Sequence, residues 1–322
     1  MPDTDLLVIG AGPTGLYATY YAGFRGLRVA VVDSLPELGG QITAMYPEKG
    51  ILDVAGFPHV KGRDLVAGLV AQAATASPEY FLDRTALTLR HDEDSVTVGL
   101  DDGTEITAGA VLITAGIGKF SPRPLPAGEG WLGRGMEFFV PSFAPYAGKD
   151  VVIVGGGDSA FDWALHLEPV ARSVVLVHRR DAFRAHERTV QQVKATSVRI
   201  VTRAQVTALH GDGHLESVDI TVDGEETTTY PAQAMVAALG FVADLGPLQH
   251  WGLEVEKRHV VVAPSMQTSL RRVFAAGDIT EYPGKVRLIS VGFGEAATAV
   301  NNAAVVIDPS AHVFPGHSSE GQ

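Results

Sequence analysis

The stretch DLLVIGAGPTGLYATYYAGFRGLRVAVVD, Asp5 to Asp33, decides the fold. It reads as a short apolar strand, a glycine-rich turn, an alanine- and aromatic-rich helix, and a second Val-rich strand. Gly10, Gly12 and Gly15 have the G-x-G-x-x-G spacing. The first glycine permits a tight turn, the second lets a pyrophosphate approach the backbone, and the third lets the helix pack close to the strand. Phosphates then lie at the helix N-terminus, where free N–H groups and the helix dipole favour anions.

The chain contains the same device twice. KDVVIVGGGDSAFDWALHLEPVARSVVLVHRR, Lys149 to Arg180, repeats the plan with Gly155, Gly157 and Ala160 at the fingerprint positions. One such motif is weak evidence. Two, each between an apolar strand and an Ala-containing helix, predict two Rossmann-like dinucleotide-binding domains of α/β class with three-layer architecture.

The residues that close the second strands differ. Asp33 stands 23 positions after Gly10, and His178 stands 23 positions after Gly155. An acid there accepts hydrogen bonds from a ribose diol. A ribose carrying a 2′-phosphate would be repelled by an acid and wants guanidinium, whose planar donors engage two oxygens at once. The second unit supplies His178, Arg179, Arg180 and Arg184. The first site therefore suits a dinucleotide with a free ribose diol, and the second suits NADPH. FAD and NADPH in one chain would be placed for hydride transfer, with Gly155, Gly157, Asp158 and Ser159 forming the second loop and helix start.

Composition narrows the setting. The 322 residues are 46% hydrophobic and 19% charged, which permits a sizeable core. The net charge of -12 argues against general affinity for nucleic acid. There is no cysteine, so disulfides, thiolate metal sites and a dithiol redox centre within these residues are excluded; no metal site is expected. The N-terminal residues show no signal-peptide pattern, and VGFGEAATAVNNAAVVI holds Glu295, Asn301 and Asn302. It reads as a buried helix rather than a membrane span, so a cytoplasmic protein with no membrane partner is expected.

Three further strand-to-glycine turns, GAVLITAGIG (Gly109 to Gly118), AMVAALGFVAD (Ala234 to Asp244) and RRVFAAGDIT (Arg271 to Thr280), divide the chain. They place an NADPH-binding domain over residues 119–242, inserted into a discontinuous FAD-binding domain of residues 1–118 and 243–322.

The motifs GAGPTG, LGGQ, GGGDSA, HRRDAFRA and AAGDIT occur in the order found in the thioredoxin-reductase-like flavoproteins, which the chain resembles over nearly its whole length. Where that family carries its two thiols, this chain has Phe138 to Pro141. The departure makes it similar to the cysteine-free branch, the homodimeric ferredoxin–NADP reductases of thioredoxin-reductase-like type. The stretch Gly39 to Val66 and the tail from Phe314 to Gln322 carry that likeness. The resemblance implies FAD contacts at Thr14, Asp33, Gln41, Tyr46, Ala86, Phe120, Asp278 and Ser319. It implies Tyr46 and a partner subunit's His317 stacked on the two faces of the flavin, with Asp53 close enough to influence its charge. No catalytic acid or base is expected. The acceptor implied is ferredoxin or flavodoxin, with Lys49, Lys61, Arg63 and Lys285 as docking cations. A disulfide reductase working on external thiols and a non-catalytic NADPH sensor are the competing readings.

Overall fold

In the computed structural model, residues 2–314 and Gly316 are described. The chain forms two compact units, Met1–Lys119 with Ala243–Gln322, and Phe120–Val242.

The first unit is built on strand β1 (Thr4–Ile9), helix α1 (Pro13–Phe24) and strand β2 (Val29–Asp33). Leu6, Leu7 and Val8 are wholly buried, as in strands covered on both faces. Pro13 opens α1, where its missing N–H costs nothing. Gly15, Leu16, Ala18, Thr19 and Ala22 form its buried stripe.

Four parallel strands run in the order Glu79–Leu82, β2, β1, Glu105–Ile113. The last is long enough to change partners along one edge. Its start pairs antiparallel with Val96–Leu100, and its end pairs parallel with Val273–Ala275. At this junction the buried guanidinium of Arg272 donates to the carbonyl of Gly109 at 2.9 Å, satisfying a carbonyl between the two ladders. Helix α2 (Gln41–Met45) precedes α3 (Gly62–Ala74); α3 and α6 (Ile289–Ile307) both pack on α1.

The second unit repeats the plan with a sheet ordered Met136–Glu137, Ala234–Ala237, Asp150–Val154, Ser173–Val177, Arg199–Val201, all parallel. Helices α4 (Asp158–Leu167) and α5 (Glu187–Lys194) pack together beside it. An antiparallel meander, Ala204–His210, Ser217–Val222 and Glu226–Pro231, contributes Val206, Val218 and Ile220 to a core shared with Val152, Val154, Val175 and Val177. Both units place their glycine loop at the carboxyl end of the central strand, where open α/β sheets bind ligands.

Candidate cofactor sites

In the first loop Gly10 has φ +109°, and a Cβ there would lie 2.6 Å from the Thr114 carbonyl oxygen. A Cβ on Gly15 would lie 1.8 Å from the Gly10 oxygen, so the helix approaches the strand as only glycine allows. Thr114 Oγ1 donates to that same Gly10 oxygen at 2.7 Å. Around a Cβ on Gly12, by contrast, nothing lies within 4 Å. This is a cradle open to a ligand at the start of α1, which carries no side-chain cap.

Asp33 is 8% exposed. Its Oδ2 accepts from the Ala11 N–H at 2.5 Å and its Oδ1 from the Leu35 N–H at 2.8 Å. Burial pushes the carboxyl upward, and the two N–H donors pull it back. The carboxylate is thus anchored to the glycine loop before any ligand arrives. The strand holding the buried Ala86 is tied to the same place, since the Arg84 N–H donates to the Asp33 carbonyl at 3.0 Å.

The LGGQ turn docks on this loop. The Gly39 N–H donates to the Ala11 carbonyl at 2.9 Å, and Gly40, φ +58°, could bear a Cβ only 2.9 Å from the Gly12 Cα. This fixes the start of α2. Gln41 Nε2 comes within 3.3 Å of where a Gly116 Cβ would be, and Tyr46 ends the helix. Burial, then Asp278 and Asp53, push the Tyr46 hydroxyl up to about 12, so it stays neutral. Thr14 Oγ1 lies 2.9 Å from the Cβ position of Gly277 and 2.5 Å from that of Gly292, which brings the Gly277–Asp278 turn and α6 against the start of α1. Asp278 is pushed up by burial and drawn back by Lys285 and Arg287. Asp53 is exposed, and its carbonyl accepts from Ser290 Oγ at 2.7 Å. Thr14, Asp33, Gln41, Tyr46 and Asp278 therefore border one region. The side chain of Phe120, and His317 and Ser319, lie outside the described residues.

In the second loop a Cβ on Gly155 would lie 2.4 Å from the Ala238 oxygen, whereas Gly157 again has nothing within 4 Å. A Cβ on Gly156 would run into the His178 ring at 2.3 Å. The basic segment folds back onto this loop: Arg184 N–H donates to the Gly156 carbonyl at 2.7 Å, and His186 N–H to Asp158 Oδ1 at 2.8 Å. Ser159 is exposed in the first turn of α4. His178 is held below its ordinary value, chiefly by burial and further by Arg179, Arg180 and Arg184. These three guanidiniums are exposed and form no hydrogen bond or ion pair among the described residues. Three cations beside one glycine loop, with no partner anion among the described residues, could hold an anionic group.

The expected docking cations fare differently. Lys61 and Arg63 both pair with Glu48, and Lys49 lies over the Tyr46 ring. Lys285 has a side chain only 1% exposed, paired with Glu295; it cannot be a docking cation, because it is inside. Sequence reasoning also missed Thr114 as the partner of Gly10 and Glu295 as more than a helix residue. The available signals were a threonine at the turn of ITAGIG and a single acid in an apolar helix.

A doubly wound fold with two open glycine cradles, one bordered by a buried carboxylate and the other by unpaired arginines, defines a two-dinucleotide oxidoreductase architecture. Residues 4–303 match the pyridine nucleotide-disulphide oxidoreductase family, and the chain belongs to it. It is 83% identical to a ferredoxin–NADP reductase of Nocardioides sp., over 99% of this chain and 98% of that protein. It is 49% identical to ferredoxin–NADP reductase 2 of Shouchella clausii, over 98% and 97% of the two chains. Among solved structures, thioredoxin reductase of T. acidophilum has the same fold, with a TM-score of 0.81 at 24% identity, over 97% of this chain and 100% of that one.

Proposed function

We propose that the chain is a ferredoxin–NADP reductase: a flavoprotein that passes electrons between NADPH and ferredoxin, or flavodoxin, through FAD. The observation that carries this reading is the pairing of unlike sites in a chain without cysteine. Residues 1–118 and 243–322 form the FAD-binding domain, and residues 119–242 the NADPH-binding domain. The curated relatives' names support the acceptor. With no thiol among the 322 residues, electrons have no dithiol in this chain to reach.

Bound FAD supplies the hydride acceptor and the step from two-electron to one-electron transfer. The chain's own residues bind and orient. Gly10, Gly12, Thr14 and Gly15 receive the pyrophosphate at the start of α1, and Asp33 accepts from the adenosine ribose diol. Gln41, Tyr46, Ala86, Phe120, Asp278 and Ser319 complete the site, with Tyr46 covering one ring face. Stacking of this kind contributes about 1 kcal/mol beyond burial, by analogy with aromatic pairs. Gly155, Gly157, Asp158 and Ser159 take the second pyrophosphate, and His178, Arg179, Arg180 and Arg184 the 2′-phosphate. No side chain is needed as acid or base.

The protein works as a cytoplasmic homodimer, with His317 of the partner subunit covering the other ring face. No helix of the described residues is long and apolar enough to cross a membrane.

The test is a coupled assay. Heat release and chromatography should yield FAD. NADPH should bleach the flavin, and ferredoxin should then be required for cytochrome c reduction. An NADPH oxidation rate that ignores ferredoxin and flavodoxin but responds to a disulfide would overturn the reading. Light scattering tests the dimer, and a fully active enzyme truncated before Phe314 would remove the stacking role of His317.

A further inference from the structure

Of the ion pairs among the described residues, Lys285–Glu295 alone buries both partners, at 1% and 5% side-chain exposure. Glu295 sits on the buried face of α6 between Gly292 and Ala299. Its Oε2 accepts from the Gly277 N–H at 2.7 Å and from Thr280 Oγ1 at 3.4 Å. Its Oε1 accepts from the Tyr282 hydroxyl at 2.6 Å and from Lys285 Nζ. Lys285 Nζ also donates to the Gly277 carbonyl at 3.0 Å. The pair therefore grips both the N–H and the C=O of one residue.

Stability alone is a poor reason for such a pair. Desolvating two charges is costly, and replacing a buried pair by apolar residues of similar volume is often neutral or stabilising. What the pair does is local. Gly277 has φ +84° and sits against Thr14 Oγ1 at the start of α1. The next residue is Asp278, whose burial disfavours ionisation and whose largest compensating charge is Lys285, ahead of Arg287. The device orients one turn and keeps a cation beside one carboxylate.

We propose that Lys285 and Glu295 are positioning residues of the flavin site, which hold the Asp278 carboxylate where the hydroxyls of a ribityl chain can donate to it. The proposal rests on the FAD reading above. Neither residue touches the flavin; both act through Gly277 and Asp278.

The test uses the full chain freed of flavin and titrated with FAD by fluorescence, alongside thermal unfolding of the flavin-free protein. The variant is Lys285→Met/Glu295→Leu, which removes both charges together. The expected result is a variant that still folds, with an unfolding temperature lowered by loss of the acceptor for the Gly277 N–H and the Tyr282 hydroxyl, and with FAD affinity weakened by about tenfold or more. Unchanged FAD affinity would overturn the proposal. If the double variant does not fold, the decision passes to amide hydrogen exchange in the unaltered, flavin-free protein. There the Gly277 N–H should exchange as slowly as the amides of Val273–Ala275, and exchange at an unprotected rate would overturn the proposal. An unaltered protein that binds no FAD defeats the flavin reading itself, a result separable from the variant's behaviour.

Discussion

The two glycine loops share a backbone plan and differ in what borders them. In the first, Asp33 is buried and bound by the Ala11 and Leu35 N–H groups, so an acceptor is fixed in place. In the second, His178 packs on Gly156, and the arginines around it are exposed and pair with none of the described residues. One site is preorganised by backbone hydrogen bonds. The other holds a charge cluster that a ligand must complete. The same turn thus has two unlike borders, a buried carboxylate in the first unit and exposed guanidiniums in the second.

The third fingerprint position should break this comparison most sharply. Gly15→Ala drives a methyl into the Gly10 carbonyl, which is backbone, and against the Thr114 hydroxyl. Loss of about 3 kcal/mol or more, and of bound FAD, is expected by calorimetry of the variant. The counterpart, Ala160→Gly, should cost only about 1 kcal/mol, because it adds helix flexibility without removing a contact the loop needs.

The open second glycines separate binding from folding. A methyl on Gly12 or Gly157 meets no protein atom within 4 Å. Each Ala variant should keep its unfolding temperature to within about 1 kcal/mol of stability. Gly12→Ala should weaken FAD, and Gly157→Ala should weaken NADPH, by about tenfold to a hundredfold. A variant that binds its cofactor normally would place the pyrophosphate elsewhere.

Arg179→Ala with Arg180→Ala should lower kcat/KM for NADPH by about tenfold to a hundredfold while leaving NADH nearly unchanged. Steady-state kinetics with both cofactors reads this directly. An intact NADPH preference would mean the arginines are a solvated face.

The smallest effect concerns pH. Burial raises the folded Asp33 carboxyl above its ordinary 3.8. A raised folded value gives stability that is fully present below the ordinary value and lost as pH rises through the raised one. The flavin-free Asp33→Asn protein lacks this dependence. Its stability relative to the unaltered protein should therefore be most favourable near neutrality and fall as pH approaches 3.8. Denaturant titration at several pH values checks the sign.

Much of this was legible in the residue order. The glycine spacing, the apolar strands and the equal distances to Asp33 and His178 are local patterns, so they specify two strand–turn–helix units and the unlike residues that end them. The absence of cysteine is equally plain from composition. Lys285 shows where local reading fails. In the sequence it is a cation in a polar turn, and only the packing of α6 brings Glu295 beneath that turn and buries the charge. Thr114 reaches Gly10 because distant segments lie in adjacent strands, and the basic segment meets Gly156 because the chain doubles back over its own loop. Residue order determined which chemical groups the protein possesses and the backbone devices that present them. Tertiary structure decided which of those groups are buried and paired and which stay free, because burial and partnership depend on residues far apart in the chain.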